Sequence, residues 1–488
     1  MVEYSRRDIL KSAAATGAAA LLGSRSSHAA VGADYDVVIV GAGMAGMTAA
    51  RLLSQAGPGL KVLILEARDR VGGRMYTLYD KEQGLPRHGV EVGAQFIHGS
   101  KASSWELIKE FDIQTRARPG PGELDFLYYE PGRSSYRPDW EAAEQLQASV
   151  GSAYGEYIGP DSSYKAFVDG LGLGPLQREQ AYAEALSWSA EPDRQSLKAV
   201  IEDGARWDSY KDDDFQLVGG HGKLAAKMAD ELFGKIQLSS PVSEIFWRHG
   251  LAGISYNYRG SKTSITARRV IITAPIGVLQ SNTMRIEPAL PNWKQRAIDS
   301  LEMGQVVVAP MLFSEPFWQK SITAPGGWIS PADRIVFSAN HPVGEAGHAV
   351  TGWFQGRAAS ELSALGAEAG MEQVLAWFEA ASGVGKLREK LSWHHFQDWV
   401  SDPYSLGSYS VTRPGGLGQR AALARPVANT LYFAGEATAA PPHYQTVHGA
   451  YSSGKRVASE VATSLKVGKR EDTPATLEEE DEPIIDLL

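Results

Sequence analysis

The segment Asp36-Val37-Val38-Ile39-Val40-Gly41-Ala42-Gly43-Met44-Ala45-Gly46 leaves this chain few folds to choose from. Tyr35 to Val40 is rich in β-branched residues and alternates poorly, as a parallel strand buried on both faces does, and Thr48 to Gln55 reads as a helix. Between them Gly41 permits a tight turn, Gly43 a close backbone approach to a pyrophosphate, and Gly46 contact between helix and strand. The helix start, with Met44 and Ala45 beside it, offers unpaired N–H groups and partial positive charge to phosphates. Lys61 to Leu65 forms a second strand ending in Glu66, whose carboxylate can accept both hydrogens of an adenosine ribose diol. A glycine fingerprint alone is weak. In the order strand, turn, helix, strand, acid, it specifies a dinucleotide site.

At 488 residues and 43% hydrophobic content the chain exceeds one core, so two domains are expected. Formal net charge is −9, but residues 469–488, with Glu471, Asp472, Glu478 to Glu482 and Asp486, hold most of it. The body is therefore only mildly acidic, which argues against a nucleic-acid partner, and 466–488 reads as a solvated, disordered acidic tail. Ser5-Arg6-Arg7-Asp8-Ile9-Leu10-Lys11 followed by the Ala-rich stretch Ser12 to Gly23 reads as a removable twin-arginine export signal over 1–30, with small residues near Ala30 for cleavage. That stretch is too short to span a bilayer, so no stable membrane anchor is expected and the mature protein should be periplasmic or secreted. Zero cysteines rule out disulfides, thiolate metal ligands and thiol nucleophiles.

Ala67-Arg68-Asp69-Arg70-Val71-Gly72-Gly73-Arg74 separates flavin from nicotinamide, because it resembles the second flavin signature of amine oxidases: Gly72 and Gly73 admit backbone to the diphosphate and Arg74 adds a cation. With Leu431-Tyr432-Phe433-Ala434-Gly435-Glu436-Ala437-Thr438 and Tyr444-Gln445-Thr446-Val447-His448-Gly449-Ala450 near the other end, the chain resembles the flavin-dependent amine oxidases. That family includes the monoamine, polyamine and spermine oxidases and the lysine-specific histone demethylases. The likeness runs from about Ala33 to Leu465. Glu91-Val92-Gly93-Ala94-Gln95-Phe96-Ile97-His98-Gly99 is similar to the polyamine-oxidase segment that passes along the flavin ring, and Pro241-Val242-Ser243-Glu244-Ile245 to the strand whose valine backbone meets the adenine.

The resemblance implies an α/β fold, a Rossmann-type FAD-binding domain interleaved with an α+β substrate-binding domain. The cofactor domain would comprise 33–115, 217–305 and 405–465, and the substrate domain 116–216 and 306–404. Ala142 to Ala148 and Gln177 to Trp188 read as helices, Val306 to Phe313 and Ala349 to Phe354 as strands, and Arg118-Pro119-Gly120-Pro121-Gly122 as a loop near the first crossing.

Trp399-Val400-Ser401-Asp402-Pro403-Tyr404-Ser405-Leu406-Gly407-Ser408-Tyr409 aligns with the monoamine oxidase segment that carries a flavin-linked cysteine and then a cage tyrosine. Ser408 holds the cysteine position, so FAD should be noncovalent. Tyr409 and Thr446 stand at the two cage positions, a half-aromatic wall suited to amines. By spacing alone Trp399 and Tyr409 read as core aromatics; the resemblance turns them toward the site. The resemblance likewise gives His98 a substrate-side role as hydrogen-bond partner or proton acceptor, whereas His394, His395 and His448 read as structural and no metal site is supported. Glu202, Asp203 and Asp208, with Trp188 and Trp207, could receive a distal cation but read as solvated helix and loop residues.

One position departs from the family. Val308 falls where nearly all its members have a lysine that assists oxygen reduction or imine hydrolysis. The implied activity is oxidation of a small-molecule amine by hydride transfer to flavin N5, imine hydrolysis to an aldehyde or ketone, and reoxidation by O2 to give H2O2. A dehydrogenase serving a periplasmic redox carrier, a desaturase or isomerase of an apolar polyene, and a flavoprotein used as a binding scaffold stay open, as does homodimerisation.

Overall fold

A computed structural model describes residues 32–467, apart from 80–84, 86–88, 119–123, 131–133, 186–188, 211–212, 321, 323–325, 331–334 and 340–347. The export signal, most of the acidic tail, Pro119 to Gly122 and Trp188 thus lie outside the described residues, as do the side chains of Asp203, Trp207 and Asp208.

Strand β1 (Tyr35–Val40) shows why its sequence alternates poorly. Val37 and Ile39 pack on one face against Met47, Ala50 and Leu53 of helix α1 (Met44–Ala56), while Val38 and Val40 pack on the other against Leu63, Ile245 and Ile254. Both faces are core, and each such side chain withdrawn from water contributes about 1.5–3 kcal/mol. Helix α1 begins at Met44, earlier than the apolar pattern starting at Thr48 suggests, because the glycine turn places its first residues directly on the sheet.

Strand β1 lies between β2 (Val62–Leu65) and the end of the long strand Ser261–Ile272, parallel to both. Strands Val242–Arg248 and Leu251–Tyr258 extend the sheet antiparallel on one side, and Ile236–Gln237 pairs parallel with β2 on the other. A second sheet is built around β3 (Val306–Phe313), which pairs antiparallel with His348–Gln355 and Leu391–His394. Strands Ile335–Ala339, Gly326–Ser330 and Asp125–Tyr128 extend it, the short strand Gln397–Asp398 also pairs with β3, and Phe337, Phe354 and Phe378 fill its core with Trp328. Helices at Trp140–Gly155 and Pro175–Ala185 cover the two helical stretches read from sequence as far as the described residues reach.

The two ends of the chain meet in the first sheet. Strand β4 (Leu431–Phe433) runs parallel to Val270–Ile272, and helix α2 (Val447–Ser464) packs across α1. Contact is close enough that a Cβ on Gly454 would sit 2.6 Å from the carbonyl oxygen of Ala45. Three short strands complete the framework: Ile97–His98 and Thr115–Ala117 each pair antiparallel with Asp214–Leu217.

Candidate active site

A cavity of about 1240 Å³ runs from the glycine turn before α1 to the open face of the second sheet. Its floor begins at Gly41, Gly43, Met44 and Ala45. Gly41 holds φ +106°, a backbone conformation that side chains oppose. A Cβ on Gly43 would meet nothing within 4 Å, whereas one on Gly46 would lie 2.0 Å from Gly41 O and 3.2 Å from Ile39 Cγ2. Gly43 therefore faces open space, and Gly46 is where helix and strand touch. No side chain caps α1 and its first turn holds no acid, which leaves its N-terminal N–H groups available to an anion.

Glu66 is buried beside this turn. Its Oε2 accepts from Ala42 N–H at 2.7 Å and its Oε1 from Arg68 N–H at 2.9 Å, so the carboxylate shapes the turn while lining the cavity with Ala67. Arg68 donates to Asp402 at 2.6 Å, and Arg74 donates to Ser408 O at 2.6 Å and Glu436 at 2.9 Å. Gly72, Gly73, Gly93, Ala94, Gln95, Phe96, Val242, Gly435, Thr446 and Val447 line the same cavity; of the residues named for the cofactor only Gly46 stands off it. A groove with glycine backbone and an uncapped helix start at one end, a buried acid beside it and an arginine next to them fits a dinucleotide.

At the far end Tyr409 lines the cavity, with its hydroxyl against Ser189 and Gln355. Burial pushes this phenol up to about 12, only partly opposed by those two hydrogen bonds. Trp399 is buried, donating Nε1–H to Val92 O at 2.7 Å and packing with Val306 and Val308. Its edge nonetheless lines the cavity, so it is at once the core aromatic that spacing suggests and part of the wall. Thr446 also has a structural duty: its hydroxyl donates to His443 O at 2.8 Å and accepts from Gly449 N–H at 2.9 Å as the N-cap of α2. Ser408 donates to Gly304 O at 3.0 Å, and an alkyl hydroxyl there cannot make a thioether.

His98 stands on the wall with Nδ1 2.8 Å from Asp214 Oδ1. Sequence reading missed Asp214, which lies opposite His98 only through the register of the three-stranded sheet. It also missed Ser189, Gln355 and Trp353, which reach the wall or its tyrosine from separate loops and strands with no local signal to mark them, whereas Tyr444 lines the cavity from within the C-terminal signature segment. Glu202 is half-buried and does not line the cavity. Among the described residues no cluster of three or more His, Asp or Glu is placed to hold a metal ion, and no helix is long and apolar enough to cross a membrane.

Known proteins bear on this geometry. The twin-arginine translocation pathway signal matches residues 3–23, so the chain is addressed for export to the periplasm or beyond. Among curated relatives, Polyamine oxidase 4 of Oryza sativa subsp. japonica is 28% identical over 472 residues, covering 89% of this chain and 90% of that one. Lysine-specific histone demethylase 1 homolog 2 of Arabidopsis thaliana is 30% identical over 466 residues, covering 88% and 59%. In solved structures the fold is shared with putrescine oxidase bound to putrescine (TM-score 0.71, 22% identity, 88% and 99% covered). It is also shared with cyclohexylamine oxidase from Brevibacterium oxydans IH-35A (TM-score 0.72, 21% identity, 89% and 100% covered). The profile described as flavin containing amine oxidoreductase matches residues 44–462, and the chain belongs to that family.

Proposed function

We propose that the mature protein binds FAD noncovalently and oxidises a small amine to an imine, which water hydrolyses to an aldehyde or ketone, with O2 as final acceptor. One observation carries this reading: a single cavity joins the uncapped start of α1 to the wall of Tyr409 and Trp399. The N-terminal N–H groups of α1 and Arg74 would hold the pyrophosphate, Glu66 the adenosine ribose, and Val242 the adenine side. Residues Gly93 to Phe96, with Gly435, Glu436 and Val447, would border the ring system. When bound, the flavin supplies the two-electron acceptor.

The remaining work falls to the chain. Tyr409 and Trp399 give flat apolar surface to the substrate carbon and exclude water, which favours the deprotonated, reactive amine. Thr446 narrows the wall from the start of α2. His98, with Nδ1 2.8 Å from Asp214 Oδ1, is held on the wall, where its ring can serve the substrate as hydrogen-bond partner or proton acceptor.

A second reading concerns the acceptor. Val308, which the resemblance aligns with the family lysine, is fully buried beside Trp399 and pairs in register with Trp353. That favours delivery of electrons to a periplasmic redox carrier over rapid reaction with oxygen. Anaerobic mixing with an amine panel tests the main reading: bleaching of the flavin absorbance supports it, and a spectrum unmoved by every amine sinks it. Reoxidation by air, followed as peroxide, against reoxidation by artificial acceptors decides between the two.

A further inference from the structure

Resting on the amine-oxidation reading, we propose that the substrate is an amine that also carries a carboxylate, received by Arg116 and Arg118 at the outer end of the cavity. The charges on the cavity wall lead there. Among the described residues its only carboxylates are Glu66 and Glu436, and both are engaged at the cofactor end, by Ala42 and Arg68 N–H and by Arg74 and Ser410. The outer wall instead presents Arg116 and Arg118 with His98.

These two guanidiniums are placed by the three-stranded sheet. Arg116 lies opposite Gln216, whose Oε1 accepts from Arg116 Nε at 3.0 Å. A neutral amide holds the group without cancelling its charge. Arg118 lies with its Cζ 4.9 Å from the centroid of Phe96 and its Nη1 3.5 Å from Asp214 Oδ2, while its backbone N–H donates to Asp214 O at 2.8 Å. The aromatic ring removes water from one guanidinium face. Asp214 pairs with Arg118 and His98 from behind the wall while Arg116 is held by the neutral Gln216 amide, so among the described residues the outer wall carries more guanidinium than carboxylate charge.

A diamine with one nitrogen at the oxidising end would carry its second, charged nitrogen toward those arginines and meet like charge. A carboxylate in the same place gains the planar fork of a guanidinium, partly desolvated, which is the geometry that recognises it best. Phe96 and Phe126 line the space between with apolar surface, which suits the carbon skeleton joining the two ends.

Matched pairs test this: L-lysine with 1,5-diaminopentane, L-phenylalanine with 2-phenylethylamine, and 5-aminopentanoate with pentylamine. In each series followed by flavin reduction, at least one carboxylated member should exceed its partner in kcat/KM by about tenfold or more. Arg116→Gln and Arg118→Gln should each narrow that ratio by about tenfold, while Arg118→Lys, which keeps the charge but loses the planar fork, restores only part of it. A readout free of turnover is the flavin spectrum titrated with 4-phenylbutanoate, whose dissociation constant should weaken about tenfold in Arg118→Gln. Arg116 is exposed, so its variant remains informative even if the Arg118 variants lose flavin. Preference for the uncarboxylated partner in every pair, or ratios unchanged in both glutamine variants, overturns the proposal while leaving amine oxidation standing. Failure of every amine, carboxylated or not, to bleach the flavin overturns both.

Discussion

Arg74 and Glu436 stand 362 residues apart in the chain and share a hydrogen bond of 2.9 Å at the cavity wall. Glu436 also accepts from the Ser410 hydroxyl at 2.7 Å and from Gln445 N–H at 3.1 Å. Burial opposes its charge, but the Arg74 and Arg420 guanidiniums and the Ser410 hydroxyl outweigh that and hold the carboxyl below the usual range. The ion pair thus clasps the glycine-rich N-terminal segment to the C-terminal one.

Replacing Glu436 by Gln should cost about 2–4 kcal/mol in denaturant unfolding, because two arginines keep their charge at a site that no longer matches it. The stabilisation from a depressed carboxyl is present above its unfolded value and is lost as pH falls through its folded value, so the wild type should weaken below about pH 4. Equal stability of variant and parent at pH 7 would show that the clasp contributes little.

Gly43 and Gly46 should separate binding from folding. Gly46→Ala puts a methyl 2.0 Å from Gly41 O and is expected to lower the melting temperature by several degrees, with about 1–3 kcal/mol of strain. Gly43→Ala meets nothing within 4 Å in the protein itself, so it should fold normally yet retain flavin poorly. A flavin-to-protein ratio near one for purified Gly43→Ala would refute the close approach assigned to that residue.

His448, buried in the first turn of α2, should make the fold acid-sensitive. Burial, with His443 and His98 nearby, pulls it down to about 3 from an ordinary 6.5. Between those values the unfolded chain binds the proton and the folded one does not, so stability should fall as pH drops from 6.5 toward 3. His448→Asn should flatten that slope in unfolding curves between pH 6.5 and 4.5. Parallel decline in both proteins would place the sensitivity elsewhere.

Tyr409→Phe should fold with a loss of about 1 kcal/mol, since Ser189 and Gln355 lose a shared partner, and should keep an apolar wall for the amine. Tyr409→Ala should raise KM for aromatic and aliphatic amines alike by about tenfold or more through loss of apolar contact. With the phenol near 12, the pH–rate profile should show no alkaline limb from this residue below pH 10. An alkaline limb near 9 that vanishes in Tyr409→Phe would contradict its burial.

Local pattern carried much of the architecture. The β-branched run of β1, the three glycines, the next strand and Glu66 are neighbours in sequence, so period and turn chemistry suffice to read them. Val306 to Phe313 is a strand because its residues pack against layers on both faces, and Val308 is visible as a departure without any coordinates. The helix boundary at Met44 was less legible, because the sheet beneath it, and not its own apolar spacing, fixes where helix begins.

What the chain's order of residues determined by itself was the glycine turn between strand and helix, the hydroxyl of Ser408, and the apolar side chain at 308. Only the tertiary structure decided that Asp214 backs His98, that Ser189 meets Tyr409, and that Arg116 and Arg118 line the same cavity. The reason is physical. Periodicity and turn preference act over a few residues, whereas these contacts join side chains 116 and 220 positions apart through strand register and packing that no local signal encodes.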